Sequence, residues 1–253
     1  MIIDKLLGLP GRFGKSVGRR GVMGTLDLIN WKIGNLLANW LSPSRYRARR
    51  LDREFDARFG VETHERVLLS DLQIESGNRV HGNKYGPSKP VEFYKLLERA
   101  KVKYEDFIFV DLGSGKGRAL LMASELPFKR IVGVEFAIEL HQAARENVGK
   151  YRSPSQRCGD FELLHLDAAA YSIPNENTVF YIYNPFHEEV MEKVLANIRQ
   201  SLAEHPREVI IIYCDAALRD LVSRSGFVGV EVAKWHAIYR NEGAAKLETA
   251  HAP

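Results

Sequence analysis

Asp111, Gly113, Gly115, Gly117 and Glu135 are the residues whose types and spacing could do chemistry. The first four belong to F-I-F-V-D-L-G-S-G-K-G-R, residues 107–118, and the last ends I-V-G-V-E at 131–135. Alternate glycines let the backbone turn sharply, approach a ligand closely and aim its N–H groups outward. Spacing separates three nucleotide-binding readings. A phosphate-binding P-loop needs G-x-x-x-x-G-K-[ST], but around Gly115-Lys116 the leading position is Val110 and the residue after the lysine is Gly117. A dinucleotide fingerprint needs G-x-G-x-x-G, and Arg118 takes the place of its third glycine, which weakens that reading without removing it. What remains is D-x-G-x-G-x-G with an acid 22 residues beyond Gly113. A carboxylate there can accept hydrogen bonds from both hydroxyls of a ribose, which suits an adenosine carrying no phosphate.

A second candidate group is Tyr183-Asn184-Pro185-Phe186. The Asn184 side chain and a backbone carbonyl beside it can both accept hydrogen bonds from an amine, and aromatic faces attract a cation. A third is the turn-rich stretch at 78–90, which contains Tyr85-Gly86-Pro87-Ser88-Lys89-Pro90. The eight histidines show no metal-ligand spacing, and Cys158 and Cys214 form no C-x-x-C pair, so neither a metal site nor a disulfide framework is indicated.

The elements that must position these groups follow from periodicity. Phe107–Leu112 and Ile131–Phe136 are short apolar runs, the pattern of strands buried on both faces of a parallel sheet. Phe161–Leu166, ending at Asp167, Thr178–Tyr183 and Glu208–Cys214 read as further strands, with two short ones within Phe227–Tyr239. Helices are predicted over Val91–Val102, Arg118–Leu126, Ala137–Val148, His187–Glu204 and Ala216–Ser225. In the first of them Phe93, Leu96, Leu97 and Ala100 face inward. The alternation predicts a doubly wound α/β domain, Rossmann-like, over 90–240. Before it lies a helical, basic N-terminal region and cap, 1–89, and after it a disordered tail, 241–253. Within the first region helices are expected over Gly24–Leu41, Ser44–Phe59 and a short stretch near Glu65–Leu72.

Charge is unevenly spread. Residues 1–53 hold eleven Lys and Arg against three Asp, whereas the whole chain has a net charge of only +4. Such a patch suits nucleic acid, anionic lipid or an acidic protein. The helix over Gly24–Leu41, with Trp31 and Trp40, either packs on the domain or rests on a membrane surface as a peripheral contact. No apolar run approaches the ~18 residues of a membrane span, and a cytoplasmic setting is expected. Oligomeric state is not encoded in any recognisable pattern.

On these residues the chain resembles the class I (seven-β-strand) S-adenosylmethionine-dependent methyltransferases, whose first motif is matched by V-D-L-G-S-G-K-G. The resemblance implies strand order 3-2-1-4-5-7-6 and S-adenosylmethionine as cofactor. It implies that Gly113, Ser114, Gly115 and Gly117 lie against the methionine part, with Asp111 supporting the loop. Glu135 would hold the ribose and Asp167 would sit near the adenine amino group, unless it is simply a turn acid. Tyr85 to Pro90 resembles the Y-x-P-[ST]-x-P segment that closes over the cofactor in certain protein lysine methyltransferases. Asn184-Pro185-Phe186 resembles the fourth motif of amino-group methyltransferases, one proline short, and a segment of the non-SET histone lysine methyltransferases. The implied activity is methyl transfer to an amine: a protein lysine first, then a nucleic-acid amino group or a small molecule. The alternative of another class is a catalytically silent binding module of the same fold.

Overall fold

Consecutive residues of a strand point to opposite faces of its sheet, so a strand apolar at every position must be covered twice. β1 (Ile108–Leu112), apolar but for the buried Asp111, meets that demand: Ile108, Val110 and Leu112 enter one core, and Phe109 enters the other. The computed structural model describes residues 42–67, 85–183 and 186–241. Beyond β1 they form α1 (Pro43–Phe59), α2 (Pro90–Arg99), α3 (Arg118–Ala123), β2 (Ile131–Glu135), α4 (Ile138–Lys150), β3 (Phe161–His165), β4 (Thr178–Tyr183), α5 (Glu188–Glu204), β5 (Val209–Cys214), α6 (Arg219–Arg224), β6 (Phe227–Val232) and β7 (His236–Asn241).

The seven strands make one sheet in the order β3-β2-β1-β4-β5-β7-β6, as expected. All pairings from β3 to β5 are parallel, and β7 pairs antiparallel with both β5 and β6. α5 and α6 bury Val190, Val194, Leu195, Ile198 and Val222 against one face. α2 and α3 cover the other with Phe93, Leu96, Leu97, Ala119 and Leu120. The inward residues expected of the helix before β1 are therefore core. Parallel strands joined by helices all end at the same edge, so the segments after Leu112, Glu135, Tyr183 and Cys214 converge along the carboxyl edge where open α/β sheets bind ligands.

The chain divides into two units, Met1–Leu51 and Asp52–Pro253. Of the first only residues 42–51, the opening turns of α1, are described. The helix expected over Gly24–Leu41, most of the basic segment and the tail from residue 242 lie outside the described residues. The short helix expected near Glu65–Leu72 lies partly outside them, and residues 65–67 are not helical. No described helix is long and apolar enough to cross a membrane.

Candidate active site

The turn after β1 is built from left-handed backbone. Gly113, Gly115 and Gly117 have φ of 88°, 53° and 85°, a region that residues with a Cβ avoid. The N–H groups of Gly113 and Ser114 both donate to the Val134 carbonyl, at 2.9 and 3.0 Å, which ties the turn to the neighbouring β2. Gly115 is open for a second reason: a Cβ there would lie 2.2 Å from the Tyr85 ring. Tyr85 thus rests directly on the turn. Its hydroxyl donates to the Thr63 carbonyl at 2.8 Å, and its ring packs with Phe136, Ala137 and Leu140.

Glu135, only 4 % exposed, faces the same place from the end of β2. Its Oε2 accepts from Gly115 N–H at 2.8 Å and its Oε1 from Ala137 N–H at 2.9 Å. A carboxylate has about four acceptor sites, so Glu135 keeps capacity for a further donor. Burial raises the Glu135 carboxyl to about 6, against the opposing pull of the Ala137, Gly115 and Phe136 N–H groups and of His165. Asp111, also buried, is pushed well above the usual carboxylate range by desolvation and then by the charge of Glu135. His165 Nε2 lies 3.1 Å from the Phe136 carbonyl, and its ring lies 5.6 Å from that of His141, whose basicity burial lowers.

Spacing alone puts Arg118 where a third glycine would stand, at the start of a helix. It is the best-held side chain at the turn, 1 % exposed. Its guanidinium donates to Thr63 Oγ1 (2.6 Å), Asp52 Oδ1 (2.6 Å), the Asp52 carbonyl (3.0 Å) and Asp56 Oδ1 (3.0 Å), and it lies 4.8 Å over the Phe55 ring. Asp56 in turn accepts from Thr63 N–H and Oγ1, both at 2.6 Å, and from His64 N–H at 2.8 Å. Burial would raise the Asp56 carboxyl, but the bonds from Thr63 and His64 and the charge of Arg118 hold it below its ordinary value. Lys116 reaches both oxygens of Glu62, at 2.9 and 2.6 Å. The Asn147 side chain closes the group by donating to the Glu62 and Lys116 carbonyls, each at 2.9 Å. Asp56, Glu62 and His64 come within 4.8 Å of one another, but the two carboxylates are matched by Arg118 and Lys116. One signal was available: Asp52 and Asp56 stand one turn apart on α1, so both carboxylates lie on one face.

Two other expected residues have partners of their own. Asp167 Oδ1 accepts from Ala169 N–H at 2.9 Å, capping the 3-10 turn 168–170 at the end of β3. Phe186 is 8 % exposed and belongs to the core cluster that holds Ile182 and Val190. Asn184 and Pro185 lie outside the described residues.

The sequence profile of the DOT1 family, described as histone methylation protein DOT1, matches residues 73–201. The chain belongs to the DOT1 family. This makes it an S-adenosylmethionine-dependent methyltransferase with the class I fold. The DOT1 match runs through Tyr85, the glycine turn, Glu135, Asp167 and Phe186; the acids at 52, 56 and 62 precede it. Solved structures of similar fold include a ribosomal protein L11 methylase from Lactobacillus delbrueckii subsp. bulgaricus, 20 % identical over 62 % of this chain and 80 % of that one, TM-score 0.44. An RNA methyltransferase from Salinibacter ruber bound to S-adenosyl-L-homocysteine is 20 % identical over 61 % and 92 %, TM-score 0.42. A glycopeptide N-methyltransferase bound to S-adenosyl-L-methionine is 11 % identical over 61 % and 93 %, TM-score 0.46. No curated protein matches.

The residues of this DOT1-family chain fit the cofactor on their own chemistry. A buried carboxylate with spare acceptor capacity suits ribose hydroxyls, and a left-handed glycine turn suits close backbone approach.

Proposed function

We propose that the chain transfers the methyl group of S-adenosylmethionine to the side-chain amine of a protein lysine. The observation that carries this reading is membership of a family described by histone methylation, over a match that includes both the glycine turn and Asn184-Pro185-Phe186. When bound, S-adenosylmethionine supplies a methyl carbon already activated by its sulfonium. The protein's task is then positioning, because a lone pair held in line at ~3 Å needs little further help.

In this reading Gly113, Ser114, Gly115 and Gly117 hold the methionine part, Asp111 stiffens the turn, Glu135 takes the ribose hydroxyls and Asp167 borders the adenine. Asn184 and the Pro185 backbone receive the amine. Tyr85, already seated on Gly115, closes the site. The basic segment 1–53 steers an acidic partner in the cytoplasm.

The test is incubation with S-adenosylmethionine labelled in the methyl group and a cell lysate, followed by nuclease or protease digestion and mass spectrometry. Label that survives nuclease, is lost to protease and maps to lysine supports the reading; label lost to nuclease overturns it. On an identified acceptor, Asn184→Ala should lower turnover strongly while leaving cofactor affinity almost unchanged, because only the reacting geometry is lost. Normal turnover by that variant would remove the residue from the site.

A further inference from the structure

Along the carboxyl edge, on the far side of β4 from the glycine turn, a cavity of about 660 Å³ lies between α2 and the ends of β4, β5 and β7. That lies within the ~300–1,000 Å³ common for ligand pockets. Tyr181 and Tyr183 of β4 contribute to its lining, α2 forms one wall, and Cys214, Asp215, Trp235 and His236 form the other. The segment Tyr85–Lys89 links this cavity to the donor site. Tyr85 lies on Gly115, Ser88 accepts from the Tyr181 hydroxyl at 3.1 Å, and Lys89 reaches the cavity rim. Four residues span at most ~14 Å, so a peptide presenting an amine at the glycine turn can reach the cavity with its neighbouring residues.

Two ion pairs match part of the charge around the cavity, and Lys95 of α2 lines the opposite wall. Lys89 pairs with Glu92 at 2.8 Å, and Arg99 pairs with Glu231 at 2.5 Å. Asp215 differs: among the described residues no side chain is seen to pair with its carboxylate, which lies exposed on the cavity wall. Its backbone is left-handed, with φ 49°, a conformation that residues other than glycine adopt sparingly. Asp215 N–H donates to the Trp235 carbonyl at 2.7 Å, so the two residues are fixed side by side where β5 ends and β7 begins. Trp235 is 65 % exposed, and Lys234 Nζ lies 4.9 Å from its ring centre, showing that the ring face accepts a cation. Neither residue belongs to the stretch matched by the family profile.

We infer that Asp215 and Trp235 form a subsite for a cationic side chain, lysine or arginine, that lies next to the acceptor in the substrate polypeptide. The subsite sets which lysine is chosen, and it rests on the proposed transfer to protein lysine. A carboxylate receives the charge while the indole covers the aliphatic or guanidinium part of the side chain.

The test uses the full chain labelled with 5-fluorotryptophan and saturated with S-adenosylhomocysteine. Its three tryptophan resonances are assigned with Trp235→Phe. Titration with the capped amino acid Nα-acetyl-arginine methylamide should move the Trp235 resonance saturably and leave Trp31 and Trp40 in place. Capped norleucine and capped glutamate should do nothing. Asp215→Asn should weaken the response by about tenfold, the scale of one charge-assisted hydrogen bond, with cofactor binding intact as the check on folding. No response in the wild type, an equal response in Asp215→Asn, or a response to capped glutamate overturns the subsite. The methyl-label experiment reads the acceptor class separately, so label on nucleic acid would overturn the lysine reading whatever the fluorine spectra show.

Discussion

Two stretches of one sheet edge are built in opposite ways. Around the glycine turn, Arg118, Lys116, Glu135 and Asp56 are held by partners in a buried network drawn from α1, α4 and the loop at 60–64. Two strands away, the ends of β5 and β7 present an exposed tryptophan and a carboxylate with open space in front of it. On the proposed reading the first stretch faces a donor of constant shape, and constant shape rewards prepositioned groups. The second suits acceptor sequences, whose variety rewards adaptable contacts.

The largest expected effect breaks the buried stretch. Arg118→Met leaves Asp52 and Asp56 without their shared cation and should cost about 3–5 kcal/mol in denaturant unfolding, as loss of one partner from a buried ion group does. A loss below about 1 kcal/mol would mean that solvent reaches the acids and that the two stretches differ less than drawn. Next comes Glu135→Ala, expected to weaken S-adenosylmethionine binding by about 1–3 kcal/mol in calorimetry through loss of a buried acceptor. Unchanged affinity would remove the ribose role.

The smallest effect is one of pH. The carboxyl of Glu135 in the free protein is raised to about 6, and only its ionised form accepts from both hydroxyls. Cofactor affinity should therefore rise as pH increases through about 6 and level off above it, and the Glu135→Gln profile should be flat. Folding stability responds with the opposite slope: the folded state holds this proton where the unfolded chain has released it, so this group's contribution falls as pH rises from the ordinary carboxylate range through about 6. A wild-type binding profile without an inflection in that window would count against Glu135 as the ribose acceptor.

Most of the sheet was legible in the sequence because its signal is local. Thr178–Tyr183 is apolar and bounded by turn formers, and β4 has those limits. Boundaries failed where a distant group intervened. The helix expected over Arg118–Leu126 stops at Ala123, because the Ser124 carbonyl accepts from Arg157 and Cys158 N–H at 2.8 and 3.0 Å. The helix expected from Ala216 begins at Arg219, after the left-handed Asp215 and the turn closed by Ala217 N–H to its carbonyl at 2.7 Å. The motif identified the glycine turn and Glu135, yet gave no hint of Arg118, since a charge beside a glycine turn reads as solvated. Its partners lie 55 to 66 residues earlier, beyond any periodicity. Phe186 was legible only as an aromatic beside a motif; that it also joins the core cluster with Ile182 and Val190 depends on where the strand ends.

The clasp on Arg118 also sets an order of events during synthesis. Asp52, Asp56 and Glu62 leave the ribosome well before Lys116 and Arg118, so these acids are made before the two cations that hold them in the fold, with the arginines of α1 at hand. Long-range pairs form only after the loop between them has closed, which makes such contacts slow. The native pairs of this segment can therefore form only once the first strand and its turn have emerged. The clasp thus closes no earlier than the glycine turn that it braces.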